Sequence, residues 1–186
     1  VSPHRFEHDH KANLIGEERR KFQPAEGIIE RSFVKKGDKV ADLGSGNGYI
    51  TLPLARMADE VFAIDAQEEM LRALKERATP AERERIRTMV SELPSIPLED
   101  GCLDHVFLVN ILHELGDKKK MVCEIMRVLK KGGAVTFVDF QKAETKMGPP
   151  IHERIPEDEV MNIFKDFQLV ERFSFPEFYQ FELRRP

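Results

Sequence analysis

Short apolar runs alternate along the chain with longer stretches whose apolar positions recur every three or four residues. Residues 39–43, 60–64, 86–90, 105–112 and 134–140 read as strands, because each is a brief apolar segment bounded by turn or charged residues. The segment 105–112 is nearly all apolar, which predicts burial on both faces. Helices are predicted between the strands. Residues 48–58 form one, with Pro53 early enough to be tolerated. Residues 65–78 form the next, opened by Asp65 with Glu68 three positions on, the spacing of a capping box. Met70, Leu71 and Leu74 make its buried stripe. Residues 117–129 carry Met121, Ile125, Val128 and Leu129 on one side, and Gly132-Gly133 reads as the stop. A shorter amphipathic helix is predicted over 27–34, and another over 156–167 with Pro156 at its first position.

Repeated strand–helix units with apolar strands predict an α/β fold, a doubly wound parallel sheet with helices on both faces. The tail departs from that plan. Residues 169–175 and 179–184 alternate in the manner of strands, and the joint between them is too short for a crossover. It predicts an antiparallel hairpin and hence a mixed sheet. With 186 residues and 41% hydrophobic content, one domain with a full core is expected. Residues 1–35 are read as a helical arm or lid, and residues 36–186 as the core, with no separate substrate domain.

Composition narrows the function only a little. A formal charge of −4 gives no overall pull toward nucleic acid or an anionic membrane. The basic runs Arg19-Arg20-Lys21, Lys118-Lys119-Lys120 and Arg184-Arg185 are scattered and read as solvated faces. Cys102 and Cys123 stand alone, which argues against a disulfide framework or a structural zinc site. No apolar stretch is long enough to span a bilayer, and no secretory leader is evident. A soluble cytoplasmic protein is expected.

The candidate chemistry starts at residues 40–51, VADLGSGNGYIT. An apolar strand stops at Asp42, and Gly44, Gly46 and Gly48 follow. Three glycines in one strand-to-helix turn permit a ligand to approach the backbone closely, at the strand end where open α/β sheets bind ligands. A dinucleotide fingerprint would need glycine at position 49, which is Tyr49, and a Walker loop would need a Gly-Lys-Ser/Thr run that is missing. The stretch D-L-G-S-G-N-G resembles motif I of the class I S-adenosylmethionine-dependent methyltransferases. Asp65, twenty-three residues after Asp42 at the end of the next strand, strengthens the resemblance. "VSELPSIPLEDGCLDHVFLVNILHEL" and "EIMRVLKKGGAVTFVDF" resemble later parts of the same family, in the right order, so that residues 36–183 are covered. The ubiquinone/menaquinone biosynthesis methyltransferases belong to the group it resembles.

That resemblance implies a Rossmann-like seven-stranded sheet of order 3-2-1-4-5-7-6 with strand seven antiparallel. It implies S-adenosylmethionine as cofactor and S-adenosylhomocysteine as product. Gly44, Ser45, Gly46 and Gly48 would cradle the methionine part, Asp42 would face its ammonium, and Asp65 would hold the ribose. Ala66 and Met70 would line one side of the adenine, Ser91, Glu92 and Leu93 the other side or its amino edge, and Asn110 would close the site near the sulfonium. His113 and Glu114, just past strand four, are the candidate catalytic residues if the acceptor must lose a proton. The sequence lacks the N/D-P-P-Y/F stretch of amino-methylating enzymes, a Pro-Cys nucleophile and a cysteine cluster of the arsenite type. A small-molecule acceptor is therefore expected. The rival readings are an RNA or protein methyltransferase, a non-catalytic cofactor-binding module and, against Tyr49, a nicotinamide-dependent oxidoreductase. Phe6 and Phe22 are expected to fold over the cofactor as a lid, and residues 141–155 to shape the acceptor pocket. His4, His8 and His10 share one face of an extended segment, but their spacing is not diagnostic, and no metal site is expected.

Overall fold

The computed structural model describes residues 16–186. Phe6, His4, His8 and His10 lie outside the described residues. Two short helices, α1 (Glu17–Phe22) and α2 (Ala25–Arg31), lead into β1 (Lys39–Leu43). Then follow α3 (Thr51–Leu54), β2 (Glu60–Asp65), α4 (Glu68–Arg77), α5 (Pro80–Arg85), β3 (Ile86–Val90), β4 (Leu103–Val109), α6 (Lys118–Val128), β5 (Leu129–Phe140), α7 (Glu157–Ile163), β6 (Gln168–Ser174) and β7 (Phe178–Arg184). The seven strands form one sheet of order β3-β2-β1-β4-β5-β7-β6. The first five run parallel, and β7 pairs antiparallel with both β5 and β6. The mixed sheet, its order and the terminal hairpin are those expected from the sequence.

Alternate residues of the central strands feed two cores. Val106 and Leu108 of β4 and Phe137 of β5 pack with Met121, Ile125 and Phe164 on one face. Phe107, Val109 and Val138 pack on the other with Ile28, Leu54 and Leu74. The near-continuous apolar run of β4 follows from being covered on both sides. One polar chain crosses the second interface. Gln180 donates to the Ile28 carbonyl at 3.0 Å and to Glu182 at 2.7 Å, and accepts from Arg31 at 2.9 Å. Thr136 donates to Glu182 at 2.8 Å, and its oxygen meets the His105 ring at 2.8 Å. This chain ties α2 to β7, β5 and β4.

Several expected boundaries move. Only four residues of the predicted 48–58 helix are helical, because Gly48 sits at a φ of +90° and turns flank the segment on both sides. The expected capping box at Asp65 is not formed. Asp65 ends β2, its carboxylate is turned to other partners, and Gln67 is the N-cap of α4 without a side-chain bond. The box occurs instead at Thr79 and Glu82, opening α5, a helix the apolar pattern did not signal. Gly132-Gly133 does not stop α6. That helix ends at Val128, β5 begins at once, and the glycines sit where the β4–β5 register shifts, bonded to Arg185 near the chain's end. The β4 strand begins earlier and ends earlier than predicted, so that Asn110 falls in the loop. Pro156 precedes α7 as its N-cap.

The Phe137 ring is fully buried against Phe164, Tyr179 and Phe181, at centroid distances of 5.6, 5.9 and 6.2 Å. Its contacts join β5, β7 and α7. Phe137→Ala is expected to lower unfolding free energy by about 3–5 kcal/mol, read from chemical denaturation; a loss below ~1 kcal/mol would show that the cluster collapses around the gap.

Candidate active site

The turn after β1 is shaped by a single carbonyl. Gly44 N–H and Ser45 N–H both donate to the Ile64 oxygen of β2, at 2.8 and 3.0 Å. Gly44 has a φ of +71°, and a Cβ there would stand 2.3 Å from Ile111 Cδ1. Gly46 has a φ of +53° with open space where its Cβ would project, and its N–H donates to Asp65 Oδ2 at 2.8 Å. The other Asp65 oxygen accepts from Gln67 N–H at 2.9 Å. Two backbone donors from two loops thus fix that carboxylate in place. Asp42 is nearly inaccessible and accepts from the Thr51 hydroxyl at 2.6 Å. Burial, with the charge of Asp65, raises it to about 6 against the Thr51 bond and Arg19.

These groups open into a cavity of about 760 Å³ at the carboxyl ends of the parallel strands, within the size range of small-ligand sites. Of the residues singled out from the sequence, Asp42, Gly44, Ser45, Gly46, Asp65, Ala66, Met70, Ser91, Glu92, Leu93, Asn110 and Glu114 line it. Gly48 and His113 do not. Gly48 faces the core, where a Cβ would come within 2.8 Å of Leu74. His113 is buried behind the wall, with Nδ1 2.7 Å from Asp139 Oδ1 and Nε2 3.8 Å from Glu114 Oε1. With Nδ1–H donating to Asp139, Nε2 has no hydrogen-bond partner. Burial pulls the His113 ring down, but the Asp139 charge and hydrogen bond outweigh it and leave the ring above its ordinary value. Glu114 is raised to about 7, chiefly by burial, with His113 opposing. Both groups therefore hold their protons to higher pH than they ordinarily would.

The far wall comes from outside the strand ends. Phe22 and Arg19 of α1 line the cavity, as do Met147 and Gly148 of the loop after β5. Gln23 ties the segment after α1 to the strand ends. It is fully buried, exchanges two hydrogen bonds with the Asn110 amide at 2.7 and 3.1 Å, and its carbonyl accepts from the Tyr49 hydroxyl at 2.8 Å. Asn110 holds a φ of +58°, and its N–H donates to the Val138 carbonyl. The loop over 141–149 is clamped by Arg154, whose guanidinium donates to the carbonyls of Gln141, Ala143, Met147 and Pro149 and to the Thr145 hydroxyl. Arg19, Gln23, Asp139 and Arg154 were not foreseen from the sequence. Asp139 had a signal, an acid near the end of an apolar strand on the ligand side. The other three fall in the two segments expected to border the site, residues 1–35 and 141–155, but no local pattern singles out those side chains.

Residues 41–137, just over half of the chain, match the family described as Methyltransferase domain. The chain belongs to the methyltransferase domain family. Its methyltransferase relatives include the ubiquinone/menaquinone biosynthesis C-methyltransferase UbiE of Acidiphilium cryptum. The two are 34% identical over 134 residues, which is 68% of this chain and 54% of the relative. The methyltransferase YcgJ of Bacillus subtilis is 29% identical over 117 residues, 63% of this chain and 46% of that protein. The chain spans about half the length of the curated relatives it matches. Among solved structures, a SAM dependent methyltransferase from Aquifex aeolicus superimposes with a TM-score of 0.89 at 26% identity, over 98% of this chain and 100% of that one. S-adenosylmethionine is the cofactor of this methyltransferase family, and the site is chemically suited to it. Open space at Gly46 leaves the backbone bare, Ser45 Oγ is buried with no hydrogen-bond partner, and carboxylates stand at both strand ends. Among the described residues, no helix is long and apolar enough to cross a membrane, and no cluster of three or more His, Cys, Asp or Glu side chains is arranged to hold a metal ion.

Three acids are raised in the folded chain, Asp42 to about 6, Glu114 to about 7 and Glu182 to about 8, desolvation being the largest cause each time. In the unfolded chain they ionise near their ordinary values, so over the window between, the folded state binds more protons and stability falls as pH rises. His113, also raised, acts in the same sense, since its stabilising charge is lost as pH rises. The melting temperature of the ligand-free protein is expected to fall from about pH 5.5 to about pH 8, with a shallower slope in Glu182→Gln. A flat or rising profile in the wild type would contradict this electrostatic account.

Proposed function

We propose that this chain transfers the methyl group of S-adenosylmethionine to a small, largely apolar molecule and releases S-adenosylhomocysteine. The observation that carries the reading is the Asp65 carboxylate, fixed by Gly46 N–H and Gln67 N–H at the rim of a glycine-lined cavity. When bound, the cofactor supplies an electrophilic methyl group on a sulfonium; the protein supplies alignment and exclusion of water. In this reading Gly44, Ser45 and Gly46 cradle the methionine part, Gly48 shapes the turn, and Asp42 faces the ammonium. Asp65 accepts from the ribose hydroxyls. Ala66 and Met70 meet one side of the adenine, Ser91, Glu92 and Leu93 the other side or its amino edge, and Asn110 stands near the sulfonium.

Phe22, Ile111, Leu115, Phe140 and Met147 give the remaining space an apolar lining. That lining supports a small apolar acceptor over a polynucleotide or a protein tail, and quinone-biosynthesis C-methyltransferases among the relatives agree with it. Glu114 is the titratable group on that side of the cavity. It accepts the proton that the acceptor releases, while His113 and Asp139 behind it hold a second proton and steady its charge. The arm of residues 16–23 acts as a lid, held shut by Gln23 on Asn110.

Calorimetry with S-adenosylhomocysteine tests the cofactor site. Asp65→Ala is expected to weaken binding about 10- to 100-fold, the cost of losing charge-assisted hydrogen bonds; undiminished affinity would remove Asp65 from the ribose. Glu114→Gln is expected to cut kcat by about 10²- to 10⁴-fold with an ionisable acceptor, leaving S-adenosylhomocysteine binding intact. Wild-type turnover is expected to climb as pH rises through about 7, where Glu114 loses its proton. Full turnover in the variant would exclude Glu114 as the base.

A further inference from the structure

The charges around the cavity are lopsided. Among the described residues that line it are four carboxylates, Asp42, Asp65, Glu92 and Glu114, and one cation, Arg19. S-adenosylmethionine is itself mixed in charge: it carries an ammonium, a sulfonium and one carboxylate. The two cationic groups are welcome among four acids. The carboxylate is repelled by all of them unless a positive group meets it. It is attached to the same carbon as the ammonium, so wherever Asp42 meets the ammonium, the carboxylate lies at the same glycine-lined end.

Arg19 is at that end. Its guanidinium carbon stands 4.0 Å from the centroid of the Tyr49 ring, and Nε donates to Gln23 Oε1 at 3.2 Å. Desolvation brings the guanidinium down to about 10, with the charges of Tyr49 and Asp42 opposing, so that it is still protonated at neutral pH. Close by in the chain turn is Ser45, 6% exposed, lining the same cavity with a hydroxyl that has no protein partner. A buried hydroxyl without a partner is costly until a ligand supplies one.

We infer that Arg19 of the arm, with the Ser45 hydroxyl, forms the subsite for the α-carboxylate of the cofactor, an inference that rests on the S-adenosylmethionine reading above. Arg19 lies outside residues 41–137, the part that matches the family. The arm is then more than a cover. It supplies the cation that lets an acidic cavity accept a zwitterionic ligand. Tyr49 and Gln23 are positioning residues for the guanidinium, through the ring face and the amide oxygen.

The test compares S-adenosylmethionine with its decarboxylated analogue, which lacks only the carboxylate, by calorimetry on the full chain. The wild type is expected to bind the intact cofactor about 10- to 100-fold more tightly than the analogue. In Arg19→Gln that preference is expected to collapse to within about 3-fold, with affinity for the analogue unchanged or improved. Ser45→Ala reads the same difference without touching the arm, and its preference is expected to fall about 3- to 10-fold. Equal weakening of both ligands in Arg19→Gln, or a wild type that does not distinguish them, overturns the carboxylate subsite and leaves the cofactor reading intact. A wild type that binds neither ligand overturns the cofactor reading itself.

Discussion

The Ile64 carbonyl is the small constraint on which the site depends. By accepting from Gly44 and Ser45 together, it pulls the turn after β1 across the end of β2. Two consecutive N–H groups can reach one oxygen only if the backbone between them turns sharply, and Gly44 at positive φ supplies that turn. The parallel register, Leu43 beside Ile64, brings the two strand ends level. Asp65 then falls within reach of Gly46 N–H, and Asp42 faces the same opening. An anion-lined, backbone-bare pocket is thus a consequence of strand pairing, with little required of the side chains beyond two carboxylates.

A second layer of order comes from the arm. Buried amides are expensive unless fully paired, and the Gln23–Asn110 exchange pairs the buried Gln23 with a half-buried amide across 87 residues of sequence. The strained φ of Asn110 is maintained because its N–H is held by Val138 and its side chain by Gln23. The same Gln23 oxygen receives Arg19, and the carbonyl of Gln23 receives Tyr49. The cavity wall at Asn110 and Tyr49 and the segment carrying Arg19 and Gln23 therefore share one hydrogen-bonded unit.

The sheet was legible in the sequence because its signals are local and redundant. Five apolar runs separated by amphipathic stretches leave few topologies, and a three-residue joint before residue 179 dictates a hairpin. The strand-end acids and glycines were legible for the same reason: their spacing encodes a loop. Boundaries were less legible where two uses of one residue compete. Asp65 satisfies the pattern of a helix cap, yet its carboxylate serves Gly46 instead. Gly132-Gly133 satisfies the pattern of a helix stop, yet it accommodates a register shift against β4. His113 sits in the right loop but turns toward Asp139, a partner 26 residues away that no short window reveals. Arg19 and Gln23 act wholly through tertiary contact.

The Arg154 clamp has a consequence for the history of such a site. Four of its five acceptors are backbone carbonyls, which every amino acid possesses. The loop is held by its main chain, so the side chains it presents are free to change without loosening it. Met147, facing the cavity from that loop, can be replaced by mutation while the clamp persists. A single buried guanidinium makes residues 141–149 an exchangeable cassette, in which the side chains facing the cavity can vary while the path of the main chain stays as it is.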